Sequence, residues 1–223
     1  MYLTHSRDWE KTGGLGNRQV ESLKVWLKTS GLQDGRGEET FLSELFRQNG
    51  LEDTLSWEVL WINVVFNFPT AAWYVGKLGL GEWTTRELED LLSQYIPRLA
   101  PRTARNAIME LVGLLERTPI GKELNQGIVL LSRPRCIKRT GYPFPSPETI
   151  FYATCRLFVK EQRENLRFDE EILWPWVVLG CDRKYVVQKF ILSEGKHFTL
   201  TDEGLAIKTL IEDWQTCGFM LTT

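Results

Sequence analysis

The side chains best suited to recognition chemistry lie in the middle third of the chain. Arg102, Thr103, Arg105 and Asn106 stand almost side by side. Guanidinium and carboxamide groups are the ones that make paired hydrogen bonds to guanine and adenine edges. Arg133, Arg135, Lys138 and Arg139 follow in a second cluster, and their charges suit phosphate neutralisation. Residues 95–141 hold nine Lys/Arg against three Asp/Glu, whereas 1–94 hold nine against fourteen and 142–223 nine against twelve. The whole chain of 223 residues has a net charge of -2. A polyanion would therefore be met by this window and not by bulk charge. A second, smaller polar group is Asn17, Arg18 and Gln19, with Lys24 one turn on.

Patterns for other chemistry are weak. His5 and His197 are the two histidines, and the chain carries no H-E-x-x-H, no Walker A and no G-x-S-x-G. Gly13-Gly14-Leu15-Gly16 has no strand-forming run before it and no Lys-Ser/Thr after it. The carboxylate runs Glu52-Asp53 and Asp169-Glu170-Glu171 fall at expected helix starts, where the helix dipole accounts for them. Cys136, Cys155, Cys181 and Cys217 contain no C-x-x-C pair, so a zinc site does not follow from their spacing. Free thiols in a reducing cytosol are expected. The longest apolar stretches, Val59–Phe68 and Ile172–Cys181, are about half the length a spanning helix needs. These readings predict a cytoplasmic protein that is not an enzyme and needs no metal or cofactor.

The elements that must position the basic residues follow from periodicity. Thr84 with Glu87 reads as a capping box that opens a helix to about Tyr95. After a break at Pro97–Pro101, a second amphipathic helix runs from about Arg102 to Arg117, with Ala104, Ile108, Leu111, Val112 and Leu115 inward. Gly127–Leu131 reads as a strand, residues 132–135 as a basic turn, and Cys136–Arg139 as the returning strand. Two helices followed by a hairpin predict a winged helix-turn-helix, with Arg102, Thr103, Arg105 and Asn106 on the second helix and the other basic residues on the wing. The same surface also suits docking onto an acidic protein partner.

Before this unit, a helix is expected over 17–29, then a turn at Asp34–Gly37 and a short strand at Thr40–Ser43. That order resembles the back half of another winged helix, with Asn17, Arg18 and Gln19 outward. Ser56 is expected to cap a buried helix over Trp57–Phe68, Pro69 to start the next, and Gly76, Gly79 and Gly81 to break the chain. After the Pro143/Pro145/Pro147 loop, helices are expected from Ser146 to about Glu164, from Asp169 through Leu173, and from Asp182 to Ser193. A short strand at His197–Leu200 and a helix capped by Thr201 and running to about Thr216 complete the chain. The predicted fold class is mainly α, a winged helix-turn-helix core with flanking helical segments and one or two short β-hairpins. The expected divisions are 1–82, 83–141 and 142–223.

The run from Leu15 to Leu27, then Ser30-Gly31-Leu32, is similar to a pattern in a bacterial domain-of-unknown-function family. So are Asn49 to Leu55, Trp61, and Val65-Phe66-Asn67. Members of that family occur beside genes resembling phosphoadenosine-phosphosulfate reductase, in DNA phosphorothioation and phage-defence operons. The similarity covers roughly residues 15–160. It implies an accessory protein of a DNA-modification or defence system that touches DNA or a partner such as a sulfurtransferase-like or helicase-like subunit. It carries over no catalytic residue.

Overall fold

The computed structural model describes residues 14, 16–130, 133–192 and 198–207. Two helices, α1 (Asn17–Thr29) and α2 (Phe41–Asn49), lead to α3 (Thr54–Asn67). That third helix is apolar on all sides, and every residue from Glu58 to Val65 is buried. An all-round apolar helix needs neighbours on every face, so α3 becomes the centre. Each fully buried Val, Leu or Ile contributes about 1.5–3 kcal/mol through removal from water.

Polar side chains fix its neighbours. The Asn63 amide donates to the Ser30 carbonyl (3.2 Å) and its oxygen accepts from the Tyr152 hydroxyl (2.6 Å). The Trp61 ring N–H donates to the Val178 carbonyl (3.0 Å). The chain continues through α4 (Pro69–Trp73) and a π-helical turn, Tyr74–Leu78, into strand β1 (Gly81–Thr84).

Helices α5 (Thr85–Tyr95), α6 (Pro101–Arg117) and the short α7 (Pro119–Lys122) follow. Then come β2 (Ile128–Leu130) and β3 (Cys136–Arg139). The three strands form one antiparallel sheet in the order β1-β3-β2. Next are α8 (Pro147–Glu161), β4 (Asn165–Arg167), α9 (Pro175–Leu179), α10 (Arg183–Leu192), β5 (Phe198–Leu200) and β6 (Gly204–Ile207). The second sheet is also antiparallel, in the order β4-β6-β5. Phe198 from it packs against Phe151, Phe158 and Phe190. The protein is therefore mainly α with two small three-stranded antiparallel sheets. Among the described residues no helix is long and apolar enough to cross a membrane.

Several local expectations change. Thr40–Ser43 is not a strand: Thr40 is the extended N-cap of α2, and Leu42, Ser43 and Phe46 form its buried face. An isolated bridge between Gln33 and Glu39 is the one β-pairing described there, so 17–49 does not complete a winged helix. The cap of α3 is Asp53, not Ser56. The Asp53 carboxylate accepts the Ser56 N–H (2.8 Å) and also its hydroxyl, and the helix starts three residues earlier than expected.

Gly81–Thr84 is not merely a break but β1, paired residue for residue with β3. Asp169 opens no helix. Glu170 accepts the Arg167 N–H (2.7 Å) and Asp169 pairs with the Arg167 guanidinium (3.0 Å), so the segment is a turn and Pro175 starts the helix. The Thr201 hydroxyl accepts the Gly204 N–H (3.0 Å), as a helix cap would. The chain then enters β6, with Leu205 opposite both Leu166 and Leu200. The remainder of that expected helix, 208–216, lies outside the described residues, as do His5, His197 and Cys217.

Candidate nucleic-acid interface

Thr84 ends β1 and caps α5. Its hydroxyl accepts the Glu87 N–H (3.1 Å), while the Glu87 carboxylate accepts the Thr84 N–H (2.7 Å). These hydrogen bonds, the one from the Thr84 backbone foremost, hold the Glu87 carboxyl below its ordinary range. The reciprocal cap fixes the angle at which the strand enters the helix.

Helix α6 then buries Ala104, Ile108, Leu111, Val112 and Leu115, the five residues its periodicity predicts. Its opposite face is set by that packing. Arg102, Thr103, Arg105 and Asn106 are all exposed, and their side chains make no hydrogen bond or ion pair with any described residue. Arg102, Arg105 and Asn106 stand at i, i+3 and i+4, so they share one stripe. Ala100 caps α6 without a side-chain acceptor and Pro101 is its first residue. The open N–H groups of this first turn add a positive dipole end to the two arginines.

Strand alternation sorts the second basic cluster. Trp83 stands opposite Ile137, and Ile137 is buried. Successive side chains in a strand point to opposite faces, so Arg139 turns inward with Ile137, and Lys138 turns out. Lys138 is exposed between Glu82 and Ile128 of the flanking strands. Arg133 in the hairpin is also exposed.

Arg135 is half-buried and pairs with Glu116 at 2.5 Å, which ties the hairpin to the C-terminal end of α6. Arg139 does not belong to the surface. It is 2% exposed, and its donors are consumed by the Gln126 side-chain oxygen (3.0 Å) and the carbonyls of Gly79 (3.0 Å), Val177 (2.9 Å) and Val178 (3.0 Å). Burial pulls its pKa down to about 10, so the guanidinium is charged at neutral pH. Burial likewise pushes the nearby Cys181 thiol up to about 12, which leaves it without a nucleophilic thiolate.

The expected patch is thus two separate sets. Arg102 and Arg105 mark one end of α6, and the hairpin is anchored at the other. Fourteen residues separate Arg102 from Glu116, about 21 Å along a helix axis. Arg135 and Arg139, expected on the wing, are withdrawn from it. Asn17, Arg18 and Gln19 are exposed at the start of α1, but the Gln19 side-chain oxygen accepts the Gly16 N–H (3.0 Å) as part of that helix's cap. These three are placed with α1 and not with the sheet of β1-β3-β2.

Sequence reasoning missed Lys28, Asn67, Arg156 and Lys160, which line a cleft between α1, α3 and α8. The signal was an arginine within the buried run Tyr152–Phe158 of α8, followed four residues on by a lysine. Among the described residues no three His, Cys, Asp or Glu side chains converge on a point where a metal ion would sit. No protein-family model, curated protein or solved structure matches this chain.

Proposed function

We propose that residues 81–139 act as a winged helix-turn-helix that binds double-stranded DNA without catalysis. Helix α6 takes the place of the recognition helix and the β2–β3 hairpin that of the wing. The element order supports this reading: a strand, two long helices, the four-residue α7, then a hairpin whose returning strand lies between the other two. The observation that carries it is the exposed stripe of Arg102, Arg105 and Asn106, which no described residue neutralises. An α-helix fits the major groove of B-DNA, and these residue types are the ones that read its purine edges. Arg133 and Lys138 would hold phosphates, and Arg102 and Arg105, at the start of α6, would each also lie against a phosphate where the helix enters the groove.

The sequence resemblance supplies a context, that of a cytoplasmic accessory protein of a bacterial DNA-modification or phage-defence system. In that context the partners are DNA and a sulfurtransferase-like or helicase-like subunit. A second reading makes the same unit an adaptor that docks a partner enzyme. It is favoured by Tyr95, Ile96 and Met109, large apolar side chains left 40–53% exposed on α5 and α6 and the turn between them.

Replacing Arg102, Arg105, Arg133 and Lys138 with Glu separates the two. A mobility-shift assay on duplex DNA should show binding by the wild type and none by the variant. If the wild type gives no shift while the variant loses a co-purifying protein, the adaptor reading replaces the DNA reading.

A further inference from the structure

A cleft of about 400 Å³ lies on α1, α3 and α8, and no residue of the proposed DNA-binding unit, 81–139, lines it. Three cationic side chains reach it: Lys28 from α1, and Arg156 and Lys160 one turn apart on α8. Among the described residues Asp34 is the one carboxylate on its wall, and its Oδ1 accepts the N–H groups of Arg36 (2.8 Å) and Glu38 (2.9 Å) in its own turn.

The cations are held in place before any ligand arrives. The Arg156 guanidinium and the Lys160 ammonium each lie 5.5 Å from the centre of the Phe66 ring. Arg156 donates to the Asn67 side-chain oxygen (2.8 Å), and the Asn67 amide in turn donates to the Thr29 carbonyl (3.0 Å). Lys28 donates to the Gly35 carbonyl (3.0 Å), which occupies one of its three hydrogens. Neither Lys28 nor Lys160 has a carboxylate partner among the described residues. Arg156 is only 9% exposed and reaches the cleft from α8.

The helices α1, α3 and α8 end at this cleft, and each C-terminus carries about half a negative charge. That offsets part of the three cations. The end of α1 is moreover already hydrogen-bonded: Asn67 takes the Thr29 carbonyl and Asn63 the Ser30 carbonyl.

We infer that this cleft binds a small phosphorylated metabolite, with its phosphoryl group among Lys28, Arg156 and Lys160. Three donors from separate side chains suit the three oxygens of a phosphomonoester better than the two of a carboxylate. The volume lies within the 300–1,000 Å³ usual for small-molecule sites, well above what phosphate alone fills. Phe66 and Val159 supply an apolar wall for the organic part.

The test is calorimetric titration of the full chain at low salt with adenosine 5′-monophosphate, inorganic phosphate and adenosine as separate probes. The nucleotide should bind saturably, phosphate more weakly, and adenosine not at all. Lys28→Glu with Lys160→Glu, both at the cleft mouth, should weaken nucleotide binding at least about tenfold, with the melting temperature and duplex-DNA binding unchanged. The inference is overturned if neither the nucleotide nor phosphate binds, if phosphate binds but the nucleotide does not, if adenosine binds as well as the nucleotide, or if the double variant keeps full affinity. A duplex-DNA titration of the same samples is read independently, so loss of the DNA reading leaves this result intact.

Discussion

Arg139→Met removes a buried cation and keeps most of its volume. Four oxygens then lose a charged donor: Gln126 Oε1 and the carbonyls of Gly79, Val177 and Val178. The Val178 carbonyl retains the Trp61 N–H, so three acceptors are left without the donor they had. A buried polar group stripped of its partner costs about 1–3 kcal/mol. Relief from desolvating a guanidinium works the other way by several kcal/mol. Taking about 2–3 kcal/mol for each of the three acceptors, about 6–9 kcal/mol together, against about 3–4 kcal/mol of relief, the net loss is about 3–5 kcal/mol. At about 2–4 °C per kcal/mol for a chain of this size, the melting temperature should fall by about 6–20 °C. Lys138→Met, one residue away on the solvent face, should stay within about 0.5 kcal/mol of wild type. Thermal and urea unfolding followed by circular dichroism measure both. Should Arg139→Met cost less than about 1 kcal/mol, or no more than Lys138→Met, the view of Arg139 as the bolt between β3 and α9 is wrong.

Other outcomes follow from the same geometry. Thr84→Ala removes one half of the α5 capping box and should cost about 1 kcal/mol in urea unfolding. Gly141 has φ +82°, and a Cβ there would stand 2.0 Å from the Gly180 carbonyl oxygen. Gly141→Ala should therefore lower the melting temperature more than Thr84→Ala does. Glu58 is buried on α3, where desolvation raises its pKa although the Ser146 N–H and hydroxyl both reach its carboxylate (3.2 Å each). Its folded pKa lies above its unfolded value, so the folded state binds the proton more tightly, and stability present at low pH is lost as pH rises through the folded pKa. Glu58→Gln should remove that loss. Its stability relative to wild type should improve between pH 4.5 and pH 7.5 in urea unfolding series, and a constant difference across that range would contradict the assignment.

Much of the unit around α6 is legible in the sequence because its signals are local. The Thr84/Glu87 spacing specifies a capping box, and the five inward residues of α6 recur at helical intervals. What escapes is whatever depends on pairing across the chain. β1 is four residues long and begins with glycine, and it exists because β3 offers it an edge. Glu203 and Gly204 read as a helix start until β4 and β5 are known to flank them.

The misplacement of Arg139 is different, because the strand period already contained the answer. If Cys136–Arg139 is a strand with Ile137 inward, Arg139 must also point inward. Positive charge suggested the surface, and the two-residue period overrides it. For the candidate site, residue type and helix face located Arg102, Thr103, Arg105 and Asn106 on an exposed surface. Linear charge density could not reveal that Arg135 is tied to Glu116.

The salt dependence of duplex-DNA affinity tests the central claim most directly. Of the candidate cations in residues 81–139, Arg102, Arg105, Arg133 and Lys138 are left on the surface without a described partner. Four phosphate contacts give a slope near -3.6 for log affinity against log salt concentration. Fluorescence anisotropy between about 50 and 200 mM KCl, the range over which such slopes are well resolved, should return that value, and Arg102→Ala should lower it in magnitude by about 0.9. A flat response, or a slope that the Arg102→Ala exchange leaves unchanged, would contradict the proposal that this face of α6 meets DNA.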